Sequence, residues 1–364
     1  MANSDLGQPP AADFSLFWEV WAKLQEKFAG KENLDFQEMV YGAISGMVDS
    51  LKDPYTVFLA PDESRKFIED IKGSFEGIGA EIGKKKGQIV VISPLEGTPA
   101  KKAGLRPGDK ILKIDGKATT EMTLDEAVSL IRGEKEKEVI LTILRDDWES
   151  PKEIKIIREV IEVPSLKWEL KENNIAYIRF YQFSEKAGWD FRKIAYEILN
   201  TPAKKIIIDL RGNPGGYLEI ANEIAGWFLK RDSLVVTENF SEQKESKEYR
   251  TTGNGVFSEF PIIIIMNQGS ASASEILAGA LRDDRGVKLI GEKSFGKGSV
   301  QELEKLKDDS SLKITVAKWL TPKGNLINDK GLEPDIKVEM SEEDYRNNKD
   351  PQLDKALEII KKIE

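Results

Sequence analysis

The stretch at residues 261–301, PIIIIMNQGSASASEILAGALRDDRGVKLIGEKSFGKGSVQ, predicts a buried strand, a serine-rich turn and a helix in that order. The apolar run Ile262–Met266 is too short to span a membrane and suits a strand that is buried on both faces. A helical pattern over Glu275–Arg282 and a strand pattern over Val287–Ile290 then lead to Lys297, which stands between two glycines. A turn packed with serines, together with such a lysine, indicates a serine nucleophile with a lysine base.

Three serines of this turn, Ser270, Ser272 and Ser274, compete for the role of nucleophile on the local sequence alone. Ser272 and Glu275 also fit a capping box, in which the serine begins a helix and needs no chemistry. At a helix N-terminus the dipole and the backbone N–H of Ala273 favour developing negative charge, as in the nucleophile elbow of hydrolases. The G-x-S-x-G pattern of that elbow is absent, so both interpretations stay open.

The composition limits the chemistry, because the 364 residues include no histidine and no cysteine. A Ser-His-Asp triad, a thiol nucleophile and a metal site built on histidine or cysteine are therefore excluded. We expect no metal and no cofactor. The length of 364 residues suggests two or three domains, and a hydrophobic content of 40% is enough to form their cores. The net charge of -9 argues against a nucleic-acid partner.

A lysine base must be neutral, which requires a pKa well below its reference value of about 10.4. Burial lowers a lysine pKa by up to ~3–5 units, so Lys297 would have to be buried to act as a base. The alternative is an exposed lysine on a flexible loop, which is the commoner place for a lysine. Gln301 lies four residues later, and its amide could accept a hydrogen bond from the ammonium and orient it. A straight strand would separate the two Cα atoms by ~13 Å, so this interaction needs a bend near Gly298.

A second glycine-rich loop, DLRGNPGG at residues 209–216, stands between a predicted strand and a predicted helix. It could be a phosphate cradle, but its spacing matches neither the Rossmann fingerprint nor the P-loop. It could also be a tight turn without chemistry. The third interpretation is an oxyanion site, because glycine lets backbone N–H groups approach a substrate carbonyl closely.

Residues from Gly73 onward form short strand patterns that resemble a PDZ domain. The resemblance rests on the segment Thr98–Leu105, the PGD turn at 107–109 and the DG turn at 115–116, in that order, with a helix over Thr123–Arg132. It implies that the loop residues Gly77, Ile78, Gly79 and Ala80 bind the C-terminal carboxylate of a peptide, which would add to the domain as a strand.

The PDZ-like unit, the DLRGNPGG loop, the NQGSASASEILAGAL segment and KSFGKGSVQ together resemble the carboxy-terminal processing peptidases, a tail-specific serine protease family. This resemblance implies a serine endopeptidase and assigns a role to each matching residue. The nucleophile matches Ser272, the general base Lys297 and the lysine-orienting residue Gln301. The oxyanion donors match the N–H of Ala273 and of one glycine of the Gly215–Gly216 pair. An arginine that couples the PDZ domain to the protease matches Arg132.

The resemblance also implies partners and a location. Substrates would be proteins with apolar C-terminal tails, and the enzyme would be exported to the periplasm or cell envelope, with its membrane anchor missing from this chain. The apolar side of the first predicted helix, over Phe14–Phe28, would be core or a contact in a homodimer or larger homo-oligomer. Two rival hypotheses are an inert PDZ binding module and a non-peptidase acyl hydrolase.

The expected fold class is a multidomain combination of α+β and α/β units. Strand and helix patterns alternate after residue 174, which predicts a largely parallel sheet covered by helices. The predicted divisions are a disordered or vector-derived leader at 1–12, a helical region at 13–72, a PDZ domain at 73–147, a serine protease core at 148–340 and a helical tail at 341–364.

Overall fold

The computed structural model describes residues 12–363, except 86, 96, 146, 163, 241–244, 329, 342, 345, 346 and 348. The predicted leader at 1–12 therefore lies outside the described residues, apart from Ala12. None of the helices in the described ranges is long and apolar enough to cross a membrane.

The N-terminal region is helical, as the spacing of its apolar residues predicts. It contains α1 (Ser15–Lys27), α2 (Phe36–Asp49), β1 (Val57–Leu59) and α3 (Pro61–Lys72). The Asp35 side chain begins α2 by accepting hydrogen bonds from the N–H groups of Gln37 and Glu38. No residue of α1 is buried, and its side chains Leu16, Phe17 and Trp18 are exposed in the isolated chain.

The PDZ-like unit is an antiparallel sheet with a helix packed against it. Its elements are β2 (Ser74–Gly77), β3 (Ala80–Lys85), β4 (Gln88–Pro94), α4 (Pro99–Lys102), β5 (Lys110–Ile114), β6 (Lys117–Ala118), α5 (Leu124–Ile131), β7 (Glu138–Leu144), β8 (Lys152–Ile157) and β9 (Glu159–Glu162). The main sheet has the order β3-β4-β5-β7-β8, and β2 pairs with β9. Strand β8 lies beyond the expected limit of this unit at residue 147.

The second half of the chain is built on a sheet with helices on both faces. Its order is β10-β11-β12-β15-β16-β19, and the pairs from β11 to β19 are parallel. The strands are β10 (Leu166–Lys171), β11 (Ile175–Phe180), β12 (Lys205–Asp209), β15 (Ile262–Met266), β16 (Lys288–Gly291) and β19 (Ile336–Lys337). The helices are α6 (Ala187–Leu199), α7 (Leu218–Phe228), α8 (Ala273–Arg285) and α9 (Pro351–Lys362).

Successive isoleucines of the central strand β15 point to opposite faces of this sheet, which explains its continuous apolar run. Ile262 and Ile264 pack with α6, α7 and α8, whereas Ile263 and Ile265 pack with α9. Each fully buried side chain of this kind contributes about 1.5–3 kcal/mol. The sheet is therefore packed on both faces. The glycine loop at 209–216 follows the end of β12, and the serine-rich turn follows the end of β15.

A smaller antiparallel sheet stands beside this platform and carries the segment after Lys297. It contains β1, β13 (Leu234–Asn239), β14 (Lys247–Arg250), β17 (Ser299–Lys305) and β18 (Ser311–Leu320). Strand β18 pairs with β1, β13 and β17. The N-terminal region is therefore joined to the core through β1.

Candidate active site

Ser272 lies at the sharp turn between β15 and α8 and is the N-cap of the helix. Its backbone has φ 55° and ψ −117°, a combination that is strained for any residue with a side chain. Such strain costs about 1–3 kcal/mol and persists only where the surrounding structure enforces it. The geometry is that of a nucleophile elbow, although the glycine pattern of that motif is absent.

The three serines of the turn differ in what their hydroxyl groups do. Ser270 is buried and donates to the carbonyl of Leu210 at 2.9 Å, and Ser274 is buried and donates to the carbonyl of Asn213 at 3.0 Å. The Ser272 side chain is half-buried, and no described residue hydrogen-bonds its hydroxyl. The structure therefore leaves one hydroxyl of the three available for chemistry.

The expected capping box is present only in its reciprocal half. The Ser272 N–H donates to Glu275 Oε2 at 2.9 Å, whereas the Glu275 N–H donates to the Ser272 backbone carbonyl at 2.8 Å. The serine hydroxyl is thus not used to cap the helix. The capping interpretation and the nucleophile interpretation are compatible here, because they use different atoms of Ser272.

The glycine loop at 209–216 lies directly against the serine turn. A Cβ atom added to Gly215 would stand 2.7 Å from Ser272 Cβ and 2.9 Å from Ala273 N, and the residue has φ 103°. The Gly215 N–H donates to Asn213 Oδ1 at 2.9 Å. The N–H groups of Gly216 and Ala273, in contrast, have no acceptor among the described residues. Of the two candidate glycines, Gly216 therefore has the available donor.

Ion pairs of Arg211 with Asp209 and Asp350 hold the first residues of the glycine loop in place. The Arg211 guanidinium donates to Asp209 Oδ2 at 2.6 Å and to both carboxylate oxygens of Asp350 at 2.7 and 2.8 Å. Asp350 also accepts the Leu353 N–H and so caps α9. The glycine loop and the C-terminal helix are consequently fixed to one another.

Lys297 is half-buried, and the residues on either side of it, Gly296 and Gly298, stand at positions that disfavour a side chain. Gly296 has φ 88°, and a Cβ atom on Gly298 would lie 1.9 Å from the backbone N of Asn328. Burial lowers the pKa of Lys297, the nearby Lys313 charge lowers it further, and the Glu275 charge opposes both. No described residue accepts a hydrogen bond from its Nζ atom, so the amine is available as a base.

Gln301 follows a shift in strand register, and its expected hydrogen bond to Lys297 is not formed. Strand β17 begins directly after Gly298, and its register with β18 shifts between Val300 and Gln301. The Gln301 Nε2 atom donates to the Ser299 hydroxyl at 2.8 Å, and its Oε1 atom has no donor among the described residues. The lysine-orienting role of Gln301 stays a prediction.

Five of the six residues predicted for the chemistry line one cavity of about 1160 Å³: Ser272, Lys297, Gln301, Gly215 and Gly216. Ala273 is fully buried behind Ser272. The cavity is also lined by large apolar side chains, including Phe67, Leu218, Phe240, Ile276 and Trp319. Within the described ranges, no group of acidic residues is arranged to hold a metal ion.

Lys313 lies in the same cavity on β18, although the sequence motifs did not single it out. Burial lowers the pKa of this lysine as well. The adjacent residues Val300 and Gln301 pair with Ala317 and Thr315, so β18 has one extra residue between that pair. The two-residue period of a strand is therefore interrupted between the buried Ala317 and Lys313, and the strand pattern in the sequence does not place Lys313 in the cavity.

The predicted carboxylate loop of the PDZ-like unit has two available donors. The Ile78 carbonyl accepts from the Ala100 N–H, and the Gly79 carbonyl accepts from Thr98, but no described residue accepts from the N–H groups of Ile78 and Gly79. The neighbouring strand β3, which begins at Ala80, is an edge of its sheet. Gly77 itself pairs with Glu159 in the strand pair β2-β9.

Arg132 stands between the PDZ-like unit and the core. Its Nη1 atom donates to Asp70 at 2.9 Å, and its guanidinium stacks 4.4 Å from the centroid of the Phe75 ring. The carbonyl of Asp70 accepts from Gln182, and the next residue, Phe183, bonds the Gly215 carbonyl through its N–H at 2.8 Å. A chain of contacts thus connects Arg132 with the glycine loop.

Comparison with known proteins agrees with this architecture. A model of peptidase family S41 matches residues 174–338, one of the PDZ domain matches 90–145, and one of the N-terminal domain of activating protease CtpB matches 10–63. The carboxy-terminal processing protease CtpA of Bacillus subtilis is 37% identical over 345 residues, which are 93% of this chain and 72% of that protein.

Two further comparisons extend over most of the chain. A CtpA-like serine protease of Staphylococcus haemolyticus is 41% identical over 296 residues, 81% of this chain and 59% of that protein. The structure of a photosystem II D1 C-terminal processing protease has a TM-score of 0.55 and 30% identity, and the match covers 90% of this chain and 89% of that one.

These similarities first define a class, a serine-type peptidase that carries a PDZ domain. The chain belongs to peptidase family S41 and, within it, to the CtpA-like carboxy-terminal processing proteases. The family resemblance and the multidomain fold class that the sequence predicts are confirmed.

Proposed function

We propose that this chain is an endopeptidase in which Ser272 is the nucleophile, Lys297 is the general base and Gln301 orients the lysine. The observation that carries the proposal is the free Ser272 hydroxyl, on a strained turn, in the same cavity as a lysine whose pKa is lowered by burial. A neutral lysine and an uncommitted hydroxyl are the two components that a serine–lysine site needs.

The first chemical step forms an acyl-enzyme. The Ser272 Oγ atom attacks the carbonyl carbon of the scissile peptide while Lys297 Nζ takes the hydroxyl proton. The carbonyl oxygen becomes an oxyanion, which the N–H groups of Ala273 and Gly216 would stabilise, because both are unpaired and neighbour Ser272. The C–N bond then breaks, and the lysine ammonium returns the proton to the leaving amine.

The second step releases the product. Water attacks the acyl carbon, its proton passes to neutral Lys297, and the regenerated Ser272 hydroxyl leaves with a proton from the lysine. The apolar lining of the cavity favours substrates with apolar side chains near the cleaved bond. Burial lowers the pKa of Lys297, which favours the neutral amine.

The decisive experiment is cleavage of an unfolded protein with an apolar C-terminal tail, read by mass spectrometry of the fragments. Ser272→Ala and Lys297→Met are each expected to abolish cleavage, while Ser270→Ala and Ser274→Ala retain it. Circular dichroism checks that each variant is folded. Hydrolysis by purified Ser272→Ala would refute the assignment. Tail binding without cleavage by the wild type would support the binding-module hypothesis.

We further propose that the loop Gly77–Ala80 binds the C-terminal carboxylate of the substrate and that the tail adds to the free edge of β3. The unpaired N–H groups of Ile78 and Gly79 support this role, because backbone donors of this kind bind anions. Arg132 would transmit the bound state to the core through Asp70 and the segment next to Gly215.

The exposed aromatic face of α1 supports a homodimer or larger homo-oligomer. Trp18 is 61% exposed and Leu16 is 66% exposed, which is a large apolar area for a solvated helix. Export of the enzyme to the periplasm or cell envelope, with association to a membrane, is part of the same proposal. So are the domain limits 13–72, 73–147, 148–340 and 341–364.

A further inference from the structure

Glu275 is a buried carboxylate that accepts four hydrogen bonds and forms no salt bridge with a described residue. It is only 1% exposed. Its Oε2 atom accepts the N–H of Ser272 at 2.9 Å and that of Lys297 at 3.0 Å, and its Oε1 atom accepts the N–H of Gly296 at 2.7 Å and the Ser294 hydroxyl at 2.6 Å. One carboxylate oxygen is therefore shared by the backbones of two residues with proposed chemical roles.

From this arrangement we propose that Glu275 is a positioning residue, which holds the Ser272 turn and the Lys297 loop in the mutual arrangement that proton transfer requires. The inference rests on the proposed serine–lysine function and adds to it a residue that touches neither substrate nor the reacting atoms. A helix cap alone would need the bond to Ser272 only. The three bonds to the loop at 294–297 have no role in capping.

The four hydrogen bonds that Glu275 accepts, which we call the clamp, also account for the strained backbone of Ser272. A positive φ in a residue with a side chain is retained only when surrounding bonds fix it. The Ser272 N–H is fixed by Glu275, and one backbone hydrogen bond, from the Phe295 N–H to the Ser270 carbonyl at 2.9 Å, runs beside it. Removal of the carboxylate would delete one hydrogen bond to the serine turn and three to the lysine loop, so both segments would lose support at the same point.

Glu275 has an electrostatic effect on the base that a neutral clamp would lack. The groups that face Lys297 are the Tyr55 ring, 5.8 Å from its Nζ atom, the Lys313 ammonium and the Glu275 carboxylate. Burial raises the pKa of Glu275, and its four donors oppose that rise. When ionised, Glu275 raises the pKa of Lys297, so loss of this charge lowers the lysine pKa and keeps the base neutral at lower pH.

The test compares the pH dependence of kcat for Glu275→Gln with that of the wild type on a tailed peptide. Glutamine keeps the size of the side chain but loses the charge and replaces one acceptor with a donor. We expect kcat on the pH plateau to fall by about 100-fold, as for a displacement of about 1 Å. We also expect the acid limb of the profile to move to lower pH, which a purely structural defect would not produce.

Three further variants separate the contributions. Asp284→Asn removes one charge from the exposed end of the same helix and is expected to leave kcat and its pH profile unchanged. Ser294→Ala removes one donor and keeps the charge, so kcat should fall by no more than about tenfold without a shift of the acid limb. Glu275→Asp keeps the charge but cannot reach all four donors, so kcat should fall while the limb stays.

The outcomes distinguish the inference from the proposed function. Activity in Ser272→Ala would refute the function itself. With that variant inactive, a folded Glu275→Gln enzyme with a plateau kcat within about threefold of the wild type would overturn the clamp. An acid limb that stays fixed or moves to higher pH would overturn it as well. If Glu275→Gln fails to fold by circular dichroism, a wild-type kcat in Glu275→Asp would overturn the clamp in its place.

Discussion

Replacement of Gly215 by alanine would introduce a methyl group directly into the contact between the glycine loop and the serine turn. The new Cβ atom would lie 2.7 Å from the Ala271 carbonyl oxygen, 2.7 Å from Ser272 Cβ and 2.9 Å from Ala273 N. Non-bonded heavy atoms rest at about 3.5 Å, so the two segments must separate by roughly 0.8 Å. Ser272, the proposed nucleophile, and the Ala273 N–H would move together.

A displacement of this size has a calculable effect on the rate. Since misplacement by about 1 Å costs about 100-fold, we expect kcat of Gly215→Ala to fall by about 30- to 100-fold, or about 2–3 kcal/mol of transition-state stabilisation. Alanine at a positive φ also costs about 1–2 kcal/mol of stability. The substitution therefore combines a steric effect on rate with a backbone effect on folding.

Gly212→Ala is the matched control, because it separates these two effects. Gly212 belongs to the same loop and has φ 69°, but a Cβ atom there would meet nothing within 4 Å. It should lose about 1–2 kcal/mol of stability in urea unfolding and keep its kcat. Steady-state cleavage of a fluorogenic tailed peptide measures both variants. Equal kcat values for Gly215→Ala and Gly212→Ala would refute the steric argument.

Further predictions concern the base, the PDZ coupling and the oligomer. Lys313→Met removes a positive charge that lowers the pKa of Lys297, so the acid limb of the kcat profile should move to higher pH, whereas exposed Lys318→Met should leave it in place. An unshifted limb in Lys313→Met would contradict this electrostatic role. If Arg132 couples the PDZ-like unit to the protease core, the wild type should cleave a peptide with a free C-terminal carboxylate faster than the same peptide as an amide. Arg132→Ala should cleave both at the same rate, and a preserved preference for the carboxylate would exclude this coupling. Trp18→Glu places a charge in the proposed dimer contact of α1 and should halve the mass measured by analytical ultracentrifugation. A wild type that is already a monomer would contradict the proposed dimer.

The elements of the site are predictable from sequence because their signals are local. The uninterrupted isoleucines of β15 and the apolar spacing of α8 fix a strand and a helix, and the serine-rich turn must lie between them. The absence of histidine is enough to make lysine the leading base candidate. The family resemblance, which depends on the order of several motifs, then selects Ser272 among three serines.

The arrangement between segments could not be predicted from those signals. The capping pattern at Ser272 gives no indication that Glu275 also accepts three donors from residues 294–297, since these contacts depend on how two loops meet in the fold. The register shift next to Gln301 belongs to the pairing of β17 with β18 and has no local sequence signal. The position of Lys313 was equally unpredictable, because the extra residue of β18 between Thr315 and Ala317 interrupts the two-residue period of the strand.

The link between Arg211 and Asp350 has a consequence for the order in which the protein matures. The two residues are 139 positions apart in the chain. A ribosome that adds about 5–20 residues per second needs roughly 7–28 s to travel from one to the other. In the last part of that interval, after Lys297 has been added, the growing chain contains Ser272 and Lys297, but the partner that fixes the glycine loop has not been made. The glycine loop therefore becomes fixed only after Asp350, at the start of α9, has been synthesised.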